Sequence, residues 1–98
     1  MGTLPFDQIS EAIRTLLRRY HADHALLFGS YARGDADEAS DIDVVVFGGS
    51  GFRPRDIFSF GEDLRVLTGK EVDAFEIREV NEGTPFYENL MREGVRIA

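Results

Sequence analysis

The residues best suited to chemistry lie between Gly29 and Asp43. Gly29-Ser30 is separated by ten residues from Asp41-Ile42-Asp43, and a further acid, Asp73, interrupts the run Val72-Asp73-Ala74-Phe75. Gly29 lets the backbone approach an anion closely, Ser30 offers a hydroxyl and a backbone donor, and the turn after them can aim further amides at phosphate oxygens. Arg33 can add a forked charge to the same anion. Asp41 and Asp43, two apart on a strand, leave the same face with Cα atoms about 6.7 Å apart, so both can reach shared metal ions. Asp73 stands where packing alone would ask for an apolar side chain. A neighbouring strand would bring it beside the pair.

Three ionised carboxylates within about 5 Å of one another repel by about 3 kcal/mol per pair at an effective dielectric of about 20, so the cluster calls for a cation or for partial protonation. Oxygen-only ligands point to magnesium, with manganese as the substitute. Two such ions about 3.5–4 Å apart stabilise the attacking and the leaving oxygens of an in-line displacement at phosphorus. That chemistry suits a nucleoside triphosphate.

The elements that must position these residues can be read from hydrophobic spacing. Ile9, Ile13, Leu16, Leu17 and Tyr20 recur every three or four residues and predict a first helix over about Phe6 to Tyr20, its stripe packed on a sheet. Ala25-Leu26-Leu27-Phe28, stopped by Gly29, and the β-branched run Ile42 to Phe47, stopped by Gly48-Gly49-Ser50-Gly51, predict two buried strands. Pro54 can open a helix carrying Ile57, Phe60, Leu64 and Leu67 up to Gly69. A third strand follows over about Glu71 to Ile77, then a short helix from Thr84-Pro85 with Phe86, Leu90 and Met91, closed by Gly94 before an extended Val95-Arg96-Ile97. Helices alternating with strands imply a layered α and β domain, which strand periodicity leaves undecided between parallel and antiparallel pairings.

A chain of 98 residues suits one domain, spanning 1–98, with one modest core. Eighteen acids against eleven basic residues give a formal charge of −7, which repels a phosphate backbone and disfavours nucleic acid as the main partner. Arg18-Arg19 and Arg53-x-Arg55 are the only close basic pairs and suit solvated helix ends. The absence of cysteine excludes disulfides and thiolate metal sites and fits a reducing, cytoplasmic location. The opening Met1 to Asp7 lacks the basic start and apolar run of a signal peptide, and no apolar run approaches the roughly 20 residues of a membrane span.

Several other features read as structure. Gly48 to Gly51 lacks the ending of a phosphate loop and is expected to be a flexible linker. Gly69-Lys70 is followed by Glu71, not a hydroxyl, and is a helix stop. His21 and His24 flank Asp23 without downstream ligands and suit a solvated loop, as does the acidic run Asp35 to Glu38. Phe58, Phe60, Phe86 and Tyr87 suit core or interface better than a base-stacking platform.

On Gly29-Ser30, Asp41-x-Asp43 and the distant Asp73, the chain resembles the DNA polymerase beta-type nucleotidyltransferase superfamily. The fuller string, Gly29-Ser30-Tyr31-Ala32-Arg33-Gly34 followed by Ser40-Asp41-Ile42-Asp43, is similar to that of the minimal nucleotidyltransferases, found in prokaryotes and often encoded beside HEPN-domain proteins. The resemblance implies an α+β polymerase-beta-like fold, a mixed β-sheet with helices packed on it. It implies that Asp41, Asp43 and Asp73 bind two magnesium ions, that Asp73 helps activate the acceptor, and that Gly29, Ser30 and Arg33 hold the triphosphate of ATP or another nucleotide. In several such pairs the family member is an antitoxin that transfers AMP to its HEPN toxin, here most plausibly to a tyrosine hydroxyl. Larger members carry a helical domain for acceptor recognition that has no counterpart here, so the acceptor is expected to be gripped by a separate subunit or by a dimer partner, in a homo- or hetero-oligomer. Two alternatives stand beside this one: a non-catalytic module that neutralises a partner by binding, its acidic surface suited to a basic partner, and transfer to a small molecule such as an antibiotic.

Overall fold

The structure, a computed structural model, describes residues 5–97. Met1 to Leu4, within the stretch read against a signal peptide, and the final residue of the 1–98 span lie outside the described residues.

Pro5, with φ fixed at −62°, leads into helix α1, Phe6–Arg19. Its stripe is as expected: Ile9, Ile13, Leu16 and Leu17 are all buried, each contributing about 1.5–3 kcal/mol on removal from water. Arg18 and Arg19 occupy the last turn, where cations complement the helix dipole. Strand β1 is His24–Phe28, followed by a single helical turn, α2, Ser30–Arg33. Strand β2 is Ile42–Phe47, helix α3 is Asp56–Thr68, and strand β3 is Val72–Glu76. A 3-10 turn over Ile77–Glu79 leads on to helix α4, Pro85–Glu93, and strand β4, Val95–Ile97. Helix α4 starts sharply because Pro85 is preorganised at its first position and the Thr84 hydroxyl accepts a hydrogen bond from the Tyr87 amide at 3.2 Å.

The strands form one mixed sheet in the order β3-β2-β1-β4. Strand β1 is antiparallel to β2 and β4, while β2 and β3 are parallel, as the α3 crossover between them requires. The terminal extended segment is thus a strand, adding an outer partner to β1. Ala25, Leu27, Ile42, Val44 and Val46 face one side of the sheet, where they pack with α1 and with Ile57, Phe60 and Leu64 of α3. The alternate residues, including Phe28, Asp43 and Asp73, share the other face, where α4 lies against β1.

Four expectations need correction. Leu67 does not extend the buried α3 stripe, being 52% exposed. The α3 helix opens at Asp56 rather than Pro54, the intervening residues forming a turn. His24 is the first residue of β1, stacked on Phe47 at 4.1 Å between ring centroids and hydrogen-bonded to Asp23 at 2.7 Å, so it is not part of a solvated loop. Gly48 to Gly51 is an anchored turn rather than a linker: Gly48 is buried, a Cβ there would collide with the Phe52 ring, and its amide donates to Glu76 Oε2 at 3.2 Å.

Glu76 is only 3% exposed. Burial would raise its pKa, but hydrogen bonds from the Arg78 guanidinium (2.8 Å), the Arg78 amide (2.7 Å) and the Gly48 amide outweigh burial and hold the carboxyl below the usual range. Glu76→Ala orphans these donors and is expected to cost about 2–4 kcal/mol of stability, read as a lower urea midpoint at unchanged slope. The depressed pKa makes this contribution complete at neutral pH and lost only in acid, as pH falls through the native pKa.

Candidate active site

Strand register assembles the site. Phe28 of β1 is paired with Asp43 of β2, and Asp43 with Asp73 of β3, so the three form one row across the solvent-facing side of the sheet. Adjacent strands lie about 4.8 Å apart, which brings the two carboxyls into contact range. Asp41 precedes the first residue of β2 instead of lying within it, and it is exposed where Asp43 is half-buried.

The Asp43 carboxyl is pushed up to about 6. Burial is the largest cause, followed by the charges of Asp73 and then Asp41 and by a hydrogen bond between the Asp43 and Asp73 carboxyls; Arg33 acts weakly in the opposite direction. Asp43 therefore keeps its proton to a higher pH than a free carboxyl does. Among the described residues no three acids or histidines close into a ready-made metal cage. The structure sets Asp43 and Asp73 at facing positions of neighbouring strands with Asp41 exposed just before β2, rather than closing the three carboxylates into the expected cluster. Two oxygen donors short of positive charge, Asp43 half-buried and Asp73 exposed, are a donor set that a divalent cation fits.

Gly29 abuts this pair. Its backbone, φ 71° and ψ −150°, lies in a region open essentially to glycine alone, and a Cβ on it would overlap the Asp43 carboxylate. The turn and the acid are thus in contact because this position has no side chain. After it, the amides of Ala32 and Arg33 close on the Gly29 carbonyl at 3.1 Å each, while those of Ser30 and Tyr31, opening α2, have no acceptor within the helix. One helical turn carries little dipole, so anion affinity here rests on those amides, the Ser30 hydroxyl and Arg33. Arg33 is exposed and paired with Asp35 at 3.3 Å. A solvated pair of this kind is weak and can be exchanged for a phosphate.

Gly29, Ser30, Arg33 and Asp43 line an open groove of about 400 Å³. Its opposite wall is α4, through Phe86, Asn89, Leu90 and Glu93. Sequence reasoning had no way to find this wall: the spacing of Leu90 and Phe86 signals a helix against a sheet, not which groove its flank borders. A larger recess, about 750 Å³, opens at the far end of the sheet by His21, Gly49 and Arg78. Its buried acid, Glu76, is already engaged by hydrogen bonds from Gly48 and Arg78, which leaves the smaller groove as the candidate site.

Comparison with known proteins agrees with this geometry. Residues 11–98 match the polymerase beta nucleotidyltransferase family model. A protein of Methanocaldococcus jannaschii named "Putative protein adenylyltransferase" is 33% identical over 75 residues, which is 76% of this chain and 81% of the relative. A solved structure of a "putative minimal nucleotidyltransferase" superposes with a TM-score of 0.74 at 32% identity, covering 88% of this chain and 86% of the other. A solved complex of tri-AMPylated Shewanella oneidensis HEPN toxin with its MNT antitoxin shares the fold, at a TM-score of 0.71 and 20% identity over 94% of this chain and 71% of the other. With the mixed sheet, the Gly-Ser turn and the paired acids in place, the chain belongs to the polymerase beta nucleotidyltransferase family.

Proposed function

We propose that this chain, acting as a single domain over residues 1–98, transfers AMP from ATP to a hydroxyl of a partner protein, a tyrosine of a HEPN-domain toxin, and so serves as an antitoxin in the cytoplasm. The observation that carries this is the contact between the Gly29 turn and the Asp43–Asp73 pair, which sets a phosphate-binding backbone against oxygen donors for a divalent cation. Relatives named as protein adenylyltransferases, and the AMPylated toxin of the fold neighbour, support the choice of AMP and of a protein acceptor.

In this account the Ser30 and Tyr31 amides, the Ser30 hydroxyl and Arg33 hold the β- and γ-phosphates, and Asp41, Asp43 and Asp73 are the residues that would hold magnesium. Magnesium, when bound, supplies charge stabilisation for the attacking and leaving oxygens. Asp73, the exposed member of the pair, would take the acceptor proton. The acceptor oxygen bonds to the α-phosphorus as the bond to the bridging oxygen breaks, and pyrophosphate departs. Incubation with α-labelled ATP, magnesium and the HEPN protein encoded beside this gene is expected to label that protein. An unlabelled partner with ATP and every other nucleoside triphosphate would overturn the proposal.

A further inference from the structure

Phe86, Asn89, Leu90 and Glu93 recur at three- and four-residue spacing, so they form one stripe of α4, and that stripe is the wall of the groove facing Gly29 and Asp43. Leu90, 2% exposed, anchors the helix, while the other three are exposed. Phe86 is held by edge contacts with Phe28 at 5.4 Å and Phe75 at 6.0 Å, yet it stays 41% exposed. Asn89 Oδ1 accepts a hydrogen bond from Arg92, which leaves its amide hydrogens as the free donors. Glu93 ends α4, where a carboxylate opposes the helix dipole, and no salt bridge among the described residues engages it. It does nothing for the helix.

The two walls therefore differ in chemistry. One offers amides, a hydroxyl and Arg33, suited to a polyphosphate. The other offers an aromatic ring, an amide donor and a carboxylate, and the carboxylate repels phosphate. A nucleotide can lie across the groove in one sense only, with its uncharged half on α4. We infer that this stripe of α4 reads the nucleoside: Phe86 packs on the base, Asn89 donates to it, and Glu93 accepts hydrogen bonds from the ribose hydroxyls. A carboxylate matched to ribose hydroxyls is a recurrent solution to nucleotide recognition, and a polar site left unpaired by a deoxy analogue discriminates against it. The inference rests on the nucleotide-transfer proposal and adds to it the residues that set sugar and base preference.

Calorimetric titration of the full chain in magnesium buffer with ATP, 2′,3′-dideoxyATP and inorganic tripolyphosphate tests it. The unaltered chain is expected to bind ATP about tenfold more tightly than the dideoxy analogue. Glu93→Ala should bring ATP down to the affinity of the analogue, and Phe86→Ala should weaken both nucleotides together; Phe86→Ala should leave tripolyphosphate binding unchanged, and Glu93→Ala, which removes a repelling charge, should not weaken it. Both residues are exposed, and a circular dichroism melt checks that each variant folds. ATP bound no more tightly than tripolyphosphate, or a ribose preference that survives Glu93→Ala, overturns the inference alone. Failure of both ATP and tripolyphosphate to bind overturns the nucleotide-transfer proposal and this inference with it.

Discussion

Asp43→Asn is expected to lower AMP transfer by about a thousand-fold or more, the scale lost when one group that stabilises transition-state charge is removed, while making the metal-free protein more stable. The two effects share a cause. The carboxyl titrates at about 6 in the folded chain against 3.8 as a free group. Between those values the native state holds a proton that the unfolded chain releases, so the contribution of this one carboxyl to metal-free stability is full below pH 3.8 and is lost as pH rises through about 6. Asparagine removes that penalty. Discounted for the part of the carboxyl that water screens, the gain at pH 7 is about 1 kcal/mol, or a Tm higher by roughly 4–8 °C. Thermal melts in chelator at pH 4 and pH 7 check it. A melting point unchanged or lowered at pH 7 would show that burial, together with the charges of Asp73 and Asp41, does not raise the Asp43 carboxyl as described.

Gly29→Ala is the second large effect. The substitution forces a Cβ into a backbone region that costs about 1–3 kcal/mol for a non-glycine residue, and the new methyl group meets the Asp43 carboxylate. Either the turn or the acid must shift. A displacement of about 1 Å at a reacting centre is worth roughly a hundred-fold in rate, so transfer should fall by at least that factor in a protein that still folds, with a Tm lowered by several degrees. Gly34→Ala is the control. It shares a positive φ, 82°, but a Cβ there meets no atom within 4 Å, so it should lose stability without a matching loss of rate. Equal activity losses in the two variants would assign the Gly29 effect to backbone strain alone.

Much of this fold is written in periodicity. The stripe Ile9, Ile13, Leu16, Leu17 and the run Ile42 to Phe47 had only one reasonable burial, and the capping of α4 by Thr84-Pro85 is local chemistry. Pairing is not local. Nothing in the two-residue period of β2 or β3 states that Asp43 lies opposite Asp73; that follows from a parallel register set by how α3 packs between the strands. The same limit applies to Leu67, whose spacing fits the α3 stripe but which is exposed. The candidate residues Gly29, Ser30, Arg33, Asp41, Asp43 and Asp73 were legible from type and spacing. The α4 wall was not, because its place depends on the path of the chain after β3, and Glu76 gave no sign in sequence that its charge would be buried and satisfied.

Strand β3 is the outermost strand on its side of the sheet, and Asp73 rides on it exposed. Among the described residues no other strand flanks that acid beyond β3. A folded macromolecule many times the bulk of a nucleotide can bring a single side chain to the carboxylates from the rim, without threading through an interior, so the walls of this small fold set no upper limit on the size of what is modified.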